Sequence, residues 1–374
     1  LKKYTILHTE ASKGWGGQEI RIITEADGLV KRGHRIIIAA PPDARIIKQA
    51  KTRDIEAVPL SMEKFSVLGP IKKIMDIINK YEIDIVNTHS SRDSWLASIA
   101  ARLSFRKPVI IRTRHLSTPI SNNPLSRIVY NHLPHKIITT GESIKNSMIE
   151  KNNFNPDKIV SIPTGIDLEI FKAGKSGANI RRTLKISART PLIGMVSVIR
   201  SWKGHLYLLE AIPDVIKRFP NAKFLIVGDG HYKDVIEEKI KEIGIGKYII
   251  MTGHREDIPE MLSAIDFLVF PSYANEGVPQ AVLQAFAMGK TVIASNVGSI
   301  SEVVLNNKTG ILIPSRNSSV LAKRIIELLK DKDKRKKMAF AGRKLVESRY
   351  SLEAMLNKIE KLYNELVAIR GGNA

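Results

Sequence analysis

The chain contains no cysteine among its 374 residues. That excludes disulfides, thiolate metal sites and a cysteine nucleophile together. No apolar run reaches the roughly 18 residues that a membrane-spanning helix needs. No Gly-x-Gly-x-x-Gly occurs, which counts against a nicotinamide-dependent dehydrogenase. The start of the chain shows no basic-then-apolar leader, its first apolar run being a short strand candidate. Acidic residues are scarce, 37 against 59 basic ones, for a net charge of +22. Between Asp93 and Glu142 they are missing altogether, while Arg102, Arg106, Lys107, Arg112, Arg114, Arg127 and Lys136 all fall there. Such a block can meet acceptor phosphates, an anionic membrane face or nucleic acid, or can be a solvated basic face and nothing more.

With 43% hydrophobic and 26% charged residues, the chain reads as a soluble globular protein long enough for two domains, and a cytoplasmic location is expected. Apolar strand candidates alternate with helical stretches. Tyr4–His8, His34–Ala40, Asp84–Thr88, Pro108–Arg112, Lys136–Thr140 and Ile159–Ile162 come first. Helices are expected at about Gln18–Lys31, Ile71–Tyr81, Ser91–Leu103 and Pro124–Leu133. A Gly/Lys-rich patch, Lys172–Asn179, then reads as a linker. The alternation restarts at Leu192–Val196, Phe224–Val227, Tyr248–Met251, Phe267–Phe270 and Thr291–Ala294. Continuous apolar strands between helices predict an α/β protein with two doubly wound parallel sheets. The expected domains are 1–170 and 171–350, followed by a last helix over 351–374 whose apolar stripe must pack on something. In such sheets ligands sit outside the carboxyl ends of the strands, so the natural site is a cleft where two such edges face each other.

One stretch organises the second half, running from Asn275-Glu276-Gly277-Val278-Pro279 to Gln284 and Gly289. It lies between two strand candidates, as a Gly/Pro loop opening a short helix. Backbone N–H groups and the helix dipole at such an end favour a phosphate, and Pro279 suits the first helical turn. Glu276 would repel a phosphate, so it more plausibly addresses a hydroxyl-bearing group attached to one. That points to a sugar phosphate. Arg200 and Lys203 follow the first strand of the second half. A guanidinium fork and an ammonium point charge suit a diphosphate leaving group, although a surface Arg and a helix-start Lys are ordinary in so basic a chain. Gly16-Gly17, ahead of Glu19, let backbone approach an anion or simply make a βα turn. His115 follows a strand end, as does His89, and isolated histidines are as often structural.

The Glu276 segment, together with Gly16-Gly17 and Arg200…Lys203-Gly204, resembles the donor-site pattern of retaining, nucleotide-sugar-dependent glycosyltransferases of the GT-B type, family 4 or group 1. The resemblance covers nearly the whole chain, and the order of motifs agrees. It implies two Rossmann-like domains, the first for the acceptor and the second for the nucleotide-sugar donor, with the last helix returning to the first domain. It implies that Arg200 and Lys203 clamp the diphosphate, that His115 and Glu276 meet the donor sugar, and that Gly228 and Gly230 turn beneath the nucleotide. His254 and Arg255 border the base, and the N–H groups around Gly277, Val278 and Pro279 hold the phosphate end. The family pattern carries a second glutamate, on the nucleotide ribose, where this chain has Gln284. Gln284 accepts one hydrogen bond but not two charge-assisted ones. That departure also leaves the base open between UDP and GDP types.

The implied activity is transfer of a hexose to a glycan or lipid-linked acceptor in lipopolysaccharide or cell-surface polysaccharide synthesis, with peripheral contact to an anionic inner-membrane face. No placed pair of acids serves a covalent double displacement. The resemblance implies front-face substitution instead, with closure about Pro163–Asp167, without a metal and with no cofactor beyond the nucleotide sugar. Asp331-Lys-Asp333 matches a metal-binding Asp-x-Asp in form, but it sits in a lysine-rich turn and reads as solvated surface. Two other classes remain open: a nucleotide-sugar 2-epimerase of the same architecture, and a non-catalytic membrane- or nucleic-acid-binding protein resting on charge alone. Nucleic acid is not the expected partner.

Overall fold

The computed structural model describes residues 2–63, 66–115, 118–274 and 276–371. Asn275, which opens the Gly/Pro stretch, and Leu116 and Ser117, which follow His115, lie outside the described residues. The chain divides into two compact units, Leu1–Thr164 with Leu352–Ala374, and Gly165–Ser351.

The first unit begins with β1 (Thr5–Thr9), α1 (Gly17–Lys31), β2 (Arg35–Ala40), α2 (Arg45–Lys51), β3 (Glu56–Pro59) and α3 (Leu68–Lys80). It continues with β4 (Ile85–Thr88), α4 (Ser91–Leu103), β5 (Val109–Arg114), α5 (Pro124–Arg127), β6 (Lys136–Thr139), α6 (Glu142–Glu150) and β7 (Ile159–Ser161). The seven strands are parallel in the order β3-β2-β1-β4-β5-β6-β7. Isoleucine and valine fill these strands because both faces are covered. Ile6, Ile36, Ile38, Ile85 and Ile111 enter one core, whereas Leu7, Ile37, Ala39, Val86 and Ile110 enter the other. This is the period of two expressed as two helix layers. Each fully buried isoleucine contributes about 1.5–3 kcal/mol of transfer free energy.

The second unit comprises α7 (Ala178–Thr183), β8 (Leu192–Val196), α8 (His205–Arg218), β9 (Lys223–Val227), α9 (Lys233–Glu242) and β10 (Ile249–Met251). Then come α10 (Ile258–Ala264), β11 (Phe267–Phe270), α11 (Gln280–Ala287), β12 (Thr291–Ser295), β13 (Gly310–Ile313), α12 (Ser318–Lys330) and α13 (Lys332–Leu345). Its six parallel strands run β10-β9-β8-β11-β12-β13. The final helix, α14 (Leu352–Gly371), belongs to the first unit. There its Met355, Leu356, Ile359 and Tyr363 join the core of α1, and Leu356 lies against Gly28 so closely that a Cβ at Gly28 would fall 2.6 Å from it.

Three details differ from the sequence pattern. The first boundary falls at Thr164 rather than at 170, because Ile166 is buried in the second core and its N–H donates to the Tyr350 carbonyl (2.8 Å). The expected linker around Lys172–Asn179 in part opens α7, where a Cβ on Gly177 would come within 2.4 Å of the Ala264 backbone. The edge strands β3 and β13 also lie outside the strand candidates, being short and bounded by polar residues.

Candidate functional site

In each sheet the strand order reverses once, between β1 and β4 in the first unit and between β8 and β11 in the second. A crevice opens outside the carboxyl ends of strands at such a reversal. Every side chain considered for catalysis sits on a loop leaving β1, β4, β5, β8 or β11.

In the second unit the loops after β8 and β11 are joined. Gly204, with φ +80, ends the turn after β8, and a Cβ there would stand 2.0 Å from the Pro271 carbonyl oxygen. Tyr273 N–H and the Ser272 hydroxyl both donate to the Trp202 carbonyl, at 2.8 and 2.9 Å. This close approach brings Lys203 Nζ to 2.6 Å from Glu276 Oε1, which also accepts from Ser272 Oγ at 2.5 Å. Glu276 is 5% exposed and Lys203 sits over the Phe270 ring at 5.3 Å. An ammonium carries three donors, so the bond to Glu276 leaves Lys203 two for a further anion. Arg200 is exposed, with its guanidinium 5.1 Å from the Trp202 ring centroid.

Glu276 is held from behind as well. Ser299 N–H donates to its carbonyl at 3.2 Å, and Gly298 packs on the same oxygen. A Cβ at Gly298, where φ is +54, would lie 2.1 Å from that oxygen. Gly298→Ala is therefore expected to displace the Glu276 loop, with a fall in turnover larger than its shift in melting temperature. Normal turnover in a folded variant would show that Glu276 tolerates displacement.

The remaining second-unit positions have structural reasons of their own. Gly228 (φ +139) and Gly230 (φ +159) rest on the Ser197 and Ile199 carbonyls, where a Cβ would meet oxygen at 1.9 and 2.2 Å. Their freedom lets the loop after β9 lie on the loop after β8. Arg255 is already bidentate to Asp257, at 2.8 and 2.6 Å, and His254 follows Gly253 beside the Gly228 bridge. Pro279 stands at the cap before α11 rather than in its first turn, so the helix opens at Gln280. Val278 is buried in the core, and Gly277 and Gln284 are half-buried. Asp331 caps α13 by accepting from Lys334 N–H (2.8 Å), which accounts for the Asp-x-Asp match.

In the first unit, Gly16 caps α1 and donates its N–H to Glu19 Oε2 at 2.8 Å, so that amide is engaged by the chain's own carboxylate. Gly17 begins the helix. His115, past the end of β5, is partly exposed, and its Nε2 lies 3.0 Å from His89 Nδ1. His89 Nε2 in turn lies 2.9 Å from His8 Nδ1. Burial, then the nearby Arg21 and Arg114 guanidinium groups, lowers the His115 pKa to about 3. Burial likewise lowers His8 and His89, so all three are neutral at physiological pH. Beside them Asp93 accepts from His89 N–H (2.8 Å), Ser90 N–H (2.8 Å) and Thr9 Oγ1 (3.0 Å). Burial first, and the Asp93 charge second, pushes Glu10 up to about 8. His8, Glu10, Asp93 and Ser272 were not singled out by sequence. The available signal was that His8 lies near the end of a strand and that His89 and His115 follow the ends of two others.

The basic block is not one solvated face. Arg112 and Arg114 both donate to the Tyr130 hydroxyl, at 3.0 and 2.8 Å. Arg102 donates to the His132 and Leu133 carbonyls, Lys136 to that of Asp157, and Arg106 pairs with Asp84. Lys107 and Arg127 remain exposed, and each lies near exposed apolar side chains: Leu103 and Phe105 by the first, Leu125 and Ile128 by the second.

Comparison with known proteins settles the family. The profile described as Glycosyl transferases group 1 matches residues 176–345, and that of Glycosyltransferase Family 4 matches residues 15–170. The chain belongs to the group 1, family 4 glycosyltransferases. It is 27% identical over 325 residues, 83% of each chain, to the UDP-Gal:alpha-D-GlcNAc-diphosphoundecaprenol alpha-1,3-galactosyltransferase of Escherichia coli. It is 25% identical over 294 residues, 76% of each chain, to a GDP-mannose-dependent alpha-(1-6)-phosphatidylinositol monomannoside mannosyltransferase of Mycobacterium tuberculosis. A crystal structure of a glycosyltransferase from Rickettsia africae ESF-5 matches with a TM-score of 0.87 and 27% identity, over 98% of this chain and 99% of that one. The fold of this glycosyltransferase is thus the GT-B type. Among its described residues no helix is long and apolar enough to cross a membrane.

Proposed function

We propose that this glycosyltransferase moves a hexose from a UDP- or GDP-type sugar to a hydroxyl of a glycan or lipid-linked acceptor, with retention at the anomeric carbon. The observation that carries this reading is the Lys203–Glu276–Ser272 constellation at the strand-order reversal, beside the opening of α11. Lys203 and Arg200 supply the positive charge that a departing diphosphate requires, in the place a metal ion would otherwise fill. Glu276 addresses the sugar hydroxyls and steadies positive charge at the anomeric carbon. His115 meets the sugar as a neutral imidazole. The leaving phosphate takes the acceptor proton on the same face, so catalysis rests on orientation and on stabilising the departing charge. Gly228, Gly230, His254 and Arg255 border the nucleotide.

The acceptor reading draws support from relatives whose names specify a diphosphoundecaprenol and a phosphatidylinositol acceptor. Exposed Leu103 and Phe105 beside Lys107 support a proposed peripheral contact with the anionic inner-membrane face from the cytoplasmic side. Phe105→Glu is expected to weaken cosedimentation with phosphatidylglycerol vesicles while leaving donor hydrolysis unchanged. Equal sedimentation of both proteins would remove Phe105 from the contact.

The deciding experiment is a thermal-shift and hydrolysis screen across UDP-, GDP- and ADP-hexoses in the presence of a chelator. Stabilisation by one nucleotide, with slow release of its sugar with retained configuration, is the expected result. No response to any donor would overturn the reading, and release of a 2-epimer would replace it. Gln284→Glu is expected to tighten that donor several-fold, since a carboxylate accepts two charge-assisted bonds from a ribose diol. Unchanged donor affinity would separate position 284 from the ribose.

A further inference from the structure

We infer that His8, His89 and His115 form a hydrogen-bonded relay in which all three rings share one tautomer, so that His8 and His89 fix whether His115 presents a donor or an acceptor to the sugar. The inference rests on the placement of His115 at the sugar proposed above.

The geometry leaves few choices. His8 lies in β1, and His89 and His115 follow β4 and β5, which are consecutive neighbours in the sheet. The planes of His8 and His89 differ by 14°, and those of His89 and His115 by 35°. Both contacts join an Nδ1 to an Nε2, at 2.9 and 3.0 Å. A neutral imidazole has one N–H and one bare nitrogen. If His89 carries its proton on Nε2, it donates to His8 Nδ1, whose own proton is then on Nε2. The bare Nδ1 of His89 must accept from Nε2–H of His115, leaving His115 Nδ1 as an acceptor. If His89 is protonated on Nδ1 instead, every assignment reverses and His115 Nδ1 becomes a donor. Any mixed state sets two lone pairs or two N–H groups against each other at one of the two contacts, at the cost of an unmade hydrogen bond.

The surroundings keep the relay neutral. The charged groups acting on it are Arg21 and Glu25 near His8, Arg21 near His89, and Arg21 with Arg114 near His115. Among the described residues His8 Nε2 is buried with no hydrogen-bond partner, and Thr140 Oγ1 donates to the His115 carbonyl at 3.3 Å. The relay therefore has two registers, and changing between them moves three protons together. His8 and His89 are positioning residues, because they act only through His115.

The test uses the full chain with 15N-labelled histidine. Long-range proton–nitrogen spectra, assigned with His8→Phe, His89→Phe and His115→Phe, read the tautomer of each ring at neutral pH. The expected wild-type result is the same protonated nitrogen on His8, His89 and His115. In His89→Phe, His115 should become a mixture of tautomers, and transfer should lose about tenfold in kcat with donor KM nearly unchanged, the scale of one misdirected hydrogen bond. Unlike tautomers in the wild-type relay overturn the inference, and that spectrum decides even if the variant fails to fold. An unaltered His115 tautomer or an unaltered kcat in folded His89→Phe overturns it equally. The reading beneath it fails separately: if His115→Phe transfers normally, His115 does not serve the sugar, whatever the spectra show.

Discussion

Lys203→Ala is expected to lower transferase turnover by about 10²–10³-fold, the scale of removing one preorganised group from a developing negative charge. The argument comes from the ion pair with Glu276, whose partners are 19% and 6% exposed as side chains. In an ordinary ion pair, removing the lysine would only strand a buried carboxylate, a loss of stability. A pair that also serves the diphosphate loses transition-state charge as well. The double variant Lys203→Met with Glu276→Gln separates the two, because removing both charges removes the stranded one. Its melting temperature should recover toward wild type while turnover stays low. Recovery of turnover along with stability would reduce the pair to a structural one, and near-normal turnover in Lys203→Ala alone would dissolve the clamp.

Arg21→Met is expected to cost about 3–5 kcal/mol, the range for breaking a buried ion pair from one side. Arg21 is 0% exposed. Its Nε donates to Glu25 Oε2 at 3.0 Å, and its Nη1 donates to the Ile162 carbonyl and the Thr164 hydroxyl at 3.2 and 3.3 Å. Without it Glu25 keeps the Tyr363 hydroxyl (3.3 Å) from α14 but, among the described residues, no paired cation. For a unit of this size the loss corresponds to a drop on the order of 10 °C in melting temperature. The same change removes the guanidinium that, after burial, holds down His115, so the His115 pKa should rise from about 3 while burial keeps it below its ordinary value. Calorimetry and histidine titration by NMR read the two effects. A shift of less than 2 °C would mean that Glu25 finds another way to be neutralised.

The architecture, and the position of each candidate residue relative to its strand, were legible in the sequence. Continuous isoleucine- and valine-rich strands between helices specify parallel sheets, because only a strand buried on both faces can be apolar throughout. Such sheets put function at their carboxyl ends, so Lys203, Glu276 and His115 were legible as residues that follow strands. The edge strand β3 was not, since Glu56–Pro59 is short, only partly buried and carries no apolar period; β13 is an apolar buried run that only its shortness hid. Charge was the least reliable guide. Arg112 and Arg114 read as part of a basic face, yet both fold onto Tyr130.

Which of these residues meet follows from the folded chain alone. Lys203 and Glu276 are 73 positions apart, and their contact depends on the tight approach of Gly204 to Pro271. His8, His89 and His115 come from three separate strands, and they form a relay because β1, β4 and β5 are adjacent. Strand order is set by crossover connections and packing over the whole sheet, and no local window of sequence contains it.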